Sequence, residues 1–291
     1  MNSFSKNKVK ESAIKKSISN LILHIFLICL SIAMIYPLVW VFFGSFKSNN
    51  EIFGTLKLLP SSFNLEGFIL GWKGDKQIGF DQHLINTFLL VIPTVIFNMF
   101  SSSLVAYGFA RFKFPFHKTL FALMLSTLML PDTALIIPRY MIFRDLKWLD
   151  TYLTFSMPAL LATIPFYTFM IYQFFRGLPR DLDESAMIDG LGPFGIFFRI
   201  LLPLIKPAVV TAGLLLFIWT WNDFFNALIY ITSAVKYPIS LGLRMMLDSE
   251  GLNFWNQIMA MSVVALTPPT IIFLSCQKYF VEGISTAGLK G

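Results

Sequence analysis

Long apolar runs alternate with short polar stretches along this chain. Six of the runs are long enough to be read as bilayer crossings, which take about 20 residues for about 30 Å of hydrocarbon. They are Leu21–Phe43, Leu84–Ala110, Thr119–Pro138, Thr151–Phe175, Leu204–Ile231 and Ile258–Val281. Pro131 and Asp132 interrupt the third, which is the weakest of the set. The pattern predicts an all-α polytopic membrane protein with six transmembrane helices spanning residues 21–281. The first run is too long for a cleaved signal peptide, and no small-residue cleavage site follows it. Between the runs lie polar loops at about 44–83, 139–150 and 232–257, a tight basic turn at 111–118, and a polar segment at about 176–203. A basic segment (1–20) precedes the spans and a small-residue tail (282–291) follows them. No polar stretch is long enough to fold as a second domain, and no internal repeat is visible.

Composition agrees. Of 291 residues, 56% are hydrophobic and 13% charged, and the mean hydropathy is +0.68. A soluble domain carries about twice that charged share and could not hide so much apolar surface. An ordinary cytosolic enzyme, a disordered chain and a secreted disulfide scaffold are therefore excluded. Cys29 and Cys276 both sit in apolar runs and read as small core side chains. The three histidines are scattered and make no metal cluster. The net charge of +7 reads through topology rather than nucleic acid. Lys6, Lys8, Lys10, Lys15 and Lys16 hold the N-terminus in the cytoplasm, and six crossings bring the C-terminus back to the same side. This puts 14 Lys and Arg inside and 9 outside, a modest bias of the expected sign.

Inside the spans the polar residues carry the information. Asn98 precedes Ser101, Ser102 and Ser103 in the second span, and Trp219, Trp221, Asn222, Asp223 and Asn226 cluster in the fifth. A bare carboxylate in hydrocarbon costs about 3 kcal/mol on insertion scales. Asp223 should therefore face a cavity, a partner chain or water, unless it caps a helix. The tryptophans suit stacking on sugar rings beside amides that bind hydroxyls, or they belong to an interfacial aromatic belt. Each span also carries proline, which reads either as a hinge or as the ordinary proline content of membrane helices.

The sharpest signal is Asp183-Glu-Ser-Ala-Met-Ile-Asp-Gly-Leu-Gly192, followed after Gly190 by nine residues and Ile200-Leu-Leu-Pro203. It reads as helix, sharp turn, helix. Asp181, Asp183 and Glu184 suit a helix N-terminus, Gly190 and Gly192 permit positive φ, and Pro193 can open a second helix. A helical hairpin on the cytoplasmic surface is a docking knob for a soluble partner.

The segment resembles the EAA loop of ABC importer permeases: Glu-Ala-Ala, three residues, Gly, nine residues, Ile-x-Leu-Pro. Ser185 replaces the first alanine. The wider likeness is to the sugar-importing, maltose-type (MalG-like) branch, from about residue 20 onward. It is carried by Asn86-Thr87, Ala106-Tyr107-x-Phe-Ala-Arg111 with Phe114-Pro115, Phe174-Phe175-x-x-Leu178-Pro179, Trp221-Asn222-Asp223-Phe224 and Gly283-x-x-Thr286-Ala287-Gly288-x-Lys290-Gly291.

The resemblance implies the permease subunit of an ATP-driven importer in a bacterial inner or plasma membrane, with both termini cytoplasmic. Its partners would be a second homologous permease, two ATPase subunits and an extracellular sugar-binding protein. A sugar, with an oligosaccharide preferred, would pass by alternating access. Coupling to the ATPase would fall to Glu184, Ser185, Ala186, Asp189, Gly190, Leu191 and Gly192. Thr286, Ala287, Gly288 and Lys290 would lie between the ATPases, although a small-residue terminus also reads as simply frayed. The substrate pathway candidates are Trp219, Trp221, Asn222, Asp223 and Asn98. The chain would bind no cofactor and be no enzyme, ATP and magnesium resting on the ATPase, since the phosphate-loop pattern GxxxxGK[ST] is absent from it. An ion-driven transporter would want more intramembrane carboxylates and an inverted repeat. A membrane enzyme would want a catalytic cluster.

Overall fold

The computed structural model describes residues 3–74, 78–247 and 254–288. The helices are α1 (Ser3–Gly44), α2 (Asn49–Gly54), α3 (Glu66–Lys73), α4 (Phe80–Arg111), α5 (His117–Thr127), α6 (Asp132–Asp145), α7 (Leu153–Leu160), α8 (Pro165–Gly177), α9 (Asp181–Ile188), α10 (Pro193–Ile196), α11 (Leu202–Leu204), α12 (Lys206–Trp221), α13 (Phe225–Tyr230), α14 (Ile239–Met245) and α15 (Trp255–Gly288). A π-helical turn, Phe197–Leu201, joins α10 to α11.

Four stretches are long and apolar enough to cross a membrane: Ser19–Gly44, Phe80–Arg111, Leu153–Gly177 and Trp255–Tyr279. They correspond to the first, second, fourth and sixth predicted runs. The third and fifth differ from straight crossings. The third is α5 and α6 bent by 103°, and the fifth comprises a Pro193–Leu204 arm bent by 76° onto α12. The number of crossings is four by these stretches alone and rises to six where each bent pair is one span. Pro131 is the N-cap of α6 and Pro207 lies in the first turn of α12, where the missing N–H is harmless. Beyond Trp221 the predicted fifth run breaks again before α13. Hydropathy reports composition along the chain and does not register such breaks.

The chain divides into two compact units. The first holds the described residues up to Gly71 and those from 254 to Val263. Close approach here depends on glycine: a Cβ at Gly67 would stand 2.8 Å from the Asn256 carbonyl oxygen, and one at Gly71 would stand 3.0 Å from Met261. The Asn256 N–H donates to Asn49 Oδ1 at 3.2 Å.

The second unit, Trp72 to 247 and Val264 onward, is built on α4, which packs against α7, α8 and α12. Its buried positions include Thr87, Leu90, Val91, Thr94, Asn98, Ser101, Ser102 and Ala106, a single helical stripe of mostly small or hydroxylated side chains. In lipid there is no hydrophobic drive between helices, so close backbone approach and shared hydrogen bonds do the work. The stripe also supports a break. The chain turns between α7 and α8 through Ala162 at φ 54. Ser101 Oγ donates to the Ala159 carbonyl at 2.7 Å and Thr163 Oγ1 to the Pro158 carbonyl at 2.9 Å. The Pro158 and Ala159 carbonyls are thus satisfied inside the protein, as broken membrane helices require.

Candidate functional site

The segment joining the fourth and fifth spans folds as the predicted hairpin. Asp181, Asp183 and Glu184 fill the first turn of α9, where they meet the positive end of the helix dipole. The helix ends in a Schellman turn: the Leu191 N–H donates to the Ala186 carbonyl and the Gly190 N–H to that of Met187, both at 3.0 Å. The reversal puts Gly190 at φ +81, with open space around the position of a Cβ. Its glycine is therefore needed for backbone conformation and not for room. Gly192, expected to share this role, instead has φ −76 and ψ 171, extended backbone open to any residue. Pro193 opens α10 as expected.

Glu184, Ser185 and Asp189 are exposed, while Ala186 is buried against the core. Leu191 is half-buried and Gly192 exposed. Around the turn, Ile188 is 87% exposed and Phe194 72%. Bare apolar side chains beside acidic ones make a surface shaped for a protein partner.

The C-terminal end of α4 holds this hairpin. Tyr107 Oη donates to the Pro193 carbonyl at 3.1 Å, its ring packing on Phe175 and Phe197. Arg111 donates from Nη1 and Nη2 to the Leu178 carbonyl at 3.3 and 3.2 Å. Its Nε stands 3.1 Å from Asp183 Oδ2, off the hydrogen-bonding axis, so the two meet as charges. A cleft of about 190 Å³ opens beside them, lined by Arg111, Arg180, Asp183, Glu184 and Met187 among others.

At the opposite end of α4 the segment after α13 is tied down from two sides. Asn86 Nδ2 donates to the Val235 and Tyr237 carbonyls at 2.7 and 3.1 Å, and Thr87 Oγ1 accepts from the Ile239 N–H at 2.7 Å. From the α6–α7 loop, Asp150 accepts from the N–H groups of Thr232 and Ser233, the Ser233 hydroxyl and Lys236 Nζ, at 2.6–3.0 Å. Burial pushes the Asp150 carboxyl up, but these donors outweigh it and hold the group well below the usual carboxylate range.

The pathway candidates separate. Trp219 is 74% exposed and Asn222 is exposed, its amide donating to the Ile218 carbonyl at 2.8 Å. Asp223 is a helix cap: Oδ1 accepts the Asn226 N–H at 3.0 Å and Oδ2 the Asn226 amide at 2.8 Å. Trp221 is buried, stacked on Phe217 with its edge to Phe88, and gives its indole N–H to the Ala265 carbonyl at 3.1 Å. That carbonyl lacks its own helical donor because the residue four along is Pro269. Within the chain, then, Trp221 braces a helix that carries two prolines and presents no free ring face. Asn98 is fully buried, accepting from Ser102 Oγ at 3.3 Å. Among the described residues no His, Cys, Asp and Glu cluster could hold a metal. The last helix runs to Gly288 and so includes Thr286 and Ala287, while Lys290 lies outside the described residues. Sequence reasoning missed the roles of Arg111 and Asp150. Arg111 was visible as the end of the Ala106–Arg111 motif, whereas Asp150 carried no local signal.

Residues 12–286 match the family described as "Binding-protein-dependent transport system inner membrane component". A Bacillus subtilis protein named as a probable ABC transporter permease, YurM, is 34% identical, covering 92% of this chain and 87% of that protein. The arabinooligosaccharides transport system permease protein AraQ of the same organism is 31% identical over 94% and 97%. The sn-glycerol-3-phosphate transport system permease protein UgpE of Rhizobium meliloti is 32% identical over 93% and 97%. The crystal structure of a bacterial ABC transporter involved in the import of the acidic polysaccharide alginate superposes with a TM-score of 0.81 at 21% identity, over 91% of this chain and 98% of that one.

Proposed function

The chain belongs to the family of binding-protein-dependent transport system inner membrane components, and from that premise we propose how this permease is driven and what it carries. It is a membrane permease of an ABC importer. In our reading it pairs with a second, related permease, and each of the pair is driven by one of two ATPase subunits. ATP and magnesium stay on the ATPases, and this chain binds no cofactor of its own. Both termini and the α9–α10 hairpin lie on the cytoplasmic side, in line with the basic N-terminal segment. A binding protein delivers substrate from outside. The substrate class we favour is an oligosaccharide, on the names of AraQ and of a 29% identical Streptomyces coelicolor relative, the diacetylchitobiose uptake system permease protein NgcG.

The observation that carries the coupling role is the hairpin itself. Its turn is fixed by backbone geometry, its inner face is anchored to the core, and Glu184, Ile188 and Phe194 are left bare on the outer face. Such a body can be pushed or pulled as a unit by whatever grips it. Trp219 and Asn222, on the open side of α12, are where a sugar would meet this subunit as the cavity switches sides.

The test is uptake by the reconstituted importer. Glu184→Lys reverses the charge offered to the ATPase. Gly190→Val puts a β-branched residue at φ +81, at a cost of about 1–2 kcal/mol or more to the turn. Both are expected to insert normally and to abolish uptake. Wild-type uptake by either variant would refute the coupling role.

A further inference from the structure

Arg111 is a charged residue with a side chain only 6% exposed, facing an Asp183 side chain 10% exposed. A buried charge persists where it is satisfied from several sides. The partners of Arg111 come from two elements: the Leu178 and Pro179 carbonyls, which accept from it (the latter at 3.5 Å from Nη2), belong to the loop leaving α8, and the Asp183 carboxylate, which meets it as a charge, belongs to the first turn of α9. Tyr107, one turn earlier on α4, holds a third place, the first carbonyl of α10. Two residues four apart on α4 therefore grip the entry to the hairpin, its first helix and the start of its second.

Net stability is a poor explanation for this arrangement. A buried ion pair is often no better than apolar side chains of the same size, and apolar neighbours such as Phe175, Ile196 and Phe197 are at hand. What a guanidinium fork supplies is a fixed geometry across several acceptors at once, which a lysine cannot reproduce. The helix it fixes is α4, whose other contacts run to α7, α8 and α12 and whose Ser102 accepts from Thr168 Oγ1 at 3.1 Å.

We propose that Arg111, with Tyr107, is a positioning residue of the transport cycle. It locks the hairpin to α4, so that displacement of the hairpin moves α4 and is not absorbed in the non-helical joint at 178–180. This rests on the reading of the hairpin as the ATPase-driven element.

The reconstituted importer tests it through substrate taken up per ATP hydrolysed, measured per assembled complex. Arg111→Gln is expected to lower that ratio about fivefold or more with the KM for ATP unchanged, and Arg111→Lys to fall between it and wild type. A merely structural role would reduce the amount of complex and leave the ratio alone, and that result overturns the proposal. Should Arg111→Gln fail to reach the membrane, Asp183→Asn decides, since it keeps the shape and removes the charge. A lowered ratio supports the lock and a wild-type ratio refutes it. Glu184→Lys in the same vesicles separates the two ideas. Full transport by it sinks the hairpin reading, whereas its inactivity beside a wild-type ratio in Arg111→Gln sinks the lock alone.

Discussion

Trp221 and Asn222 are neighbours with opposite commitments. The indole N–H of Trp221 replaces the donor that Pro269 removes from α15, and an orphaned carbonyl in the interior costs about 1–3 kcal/mol. Trp221→Phe should therefore lower the melting temperature of the purified permease while leaving the KM for substrate unchanged. Asn222→Ala should do the reverse, since its amide serves only its own helix end and stands open. A substrate KM that moves with Trp221 and ignores Asn222 would exchange these roles. The sequence placed both residues in one polar cluster and left two meanings open, because adjacency along a helix does not say which side is buried. The partner that settles Trp221 lies 44 residues away, beyond any local pattern. Asp150 gives a pH signature. Its folded-state carboxyl is held below the ordinary aspartate value of about 3.9, so its contribution is complete above about pH 4 and is lost as pH falls through the folded value. Asp150→Asn should thus destabilise the permease at pH 7, and the gap to wild type should shrink as the pH is taken from 4 toward 2. A gap that is widest in acid would have the sign wrong.

The helices repeat this lesson at larger scale. Runs of apolar residues were legible because the bilayer demands them. The bends at Leu128–Pro131 and at Ile205 were signalled only by proline and a charge, and the turn between α7 and α8 only by Pro158 and Pro165. Ala162 there adopts φ 54, a region that costs a residue with a Cβ about 1–2 kcal/mol. Ala162→Gly should raise the unfolding midpoint in detergent, and Ala162→Val should lower it. An equal response to both would show that the turn straightens in the variants. The hairpin was the most legible element, since acidic residues, a glycine and a proline each specify one backbone feature in order. Gly192 shows the limit: glycine permits positive φ and does not impose it.

For the whole molecule, fold class followed from composition and spacing, because a chain this apolar has few ways to satisfy its backbone other than helices in a membrane. The site was legible where one stretch of chain builds it, as in the hairpin, and illegible where it arises between helices distant in sequence, as with Arg111 and its acceptors. Substrate choice was illegible for a stronger reason: in the proposed assembly the pathway wall is shared with other chains. The apolar stretch from Ser19 to Leu38 is exposed, a surface suited to lipid. The central claim, that the α9–α10 hairpin is the point at which an ATPase drives this permease, is tested most directly by cross-linking. A variant lacking Cys29 and Cys276 and carrying Ser185→Cys would be placed in sealed vesicles of known orientation with its transport partners. The account predicts a cross-link to the ATPase subunit, formed by a reagent admitted on the cytoplasmic face. Labelling of that cysteine from the external face alone, with no ATPase adduct, would contradict it.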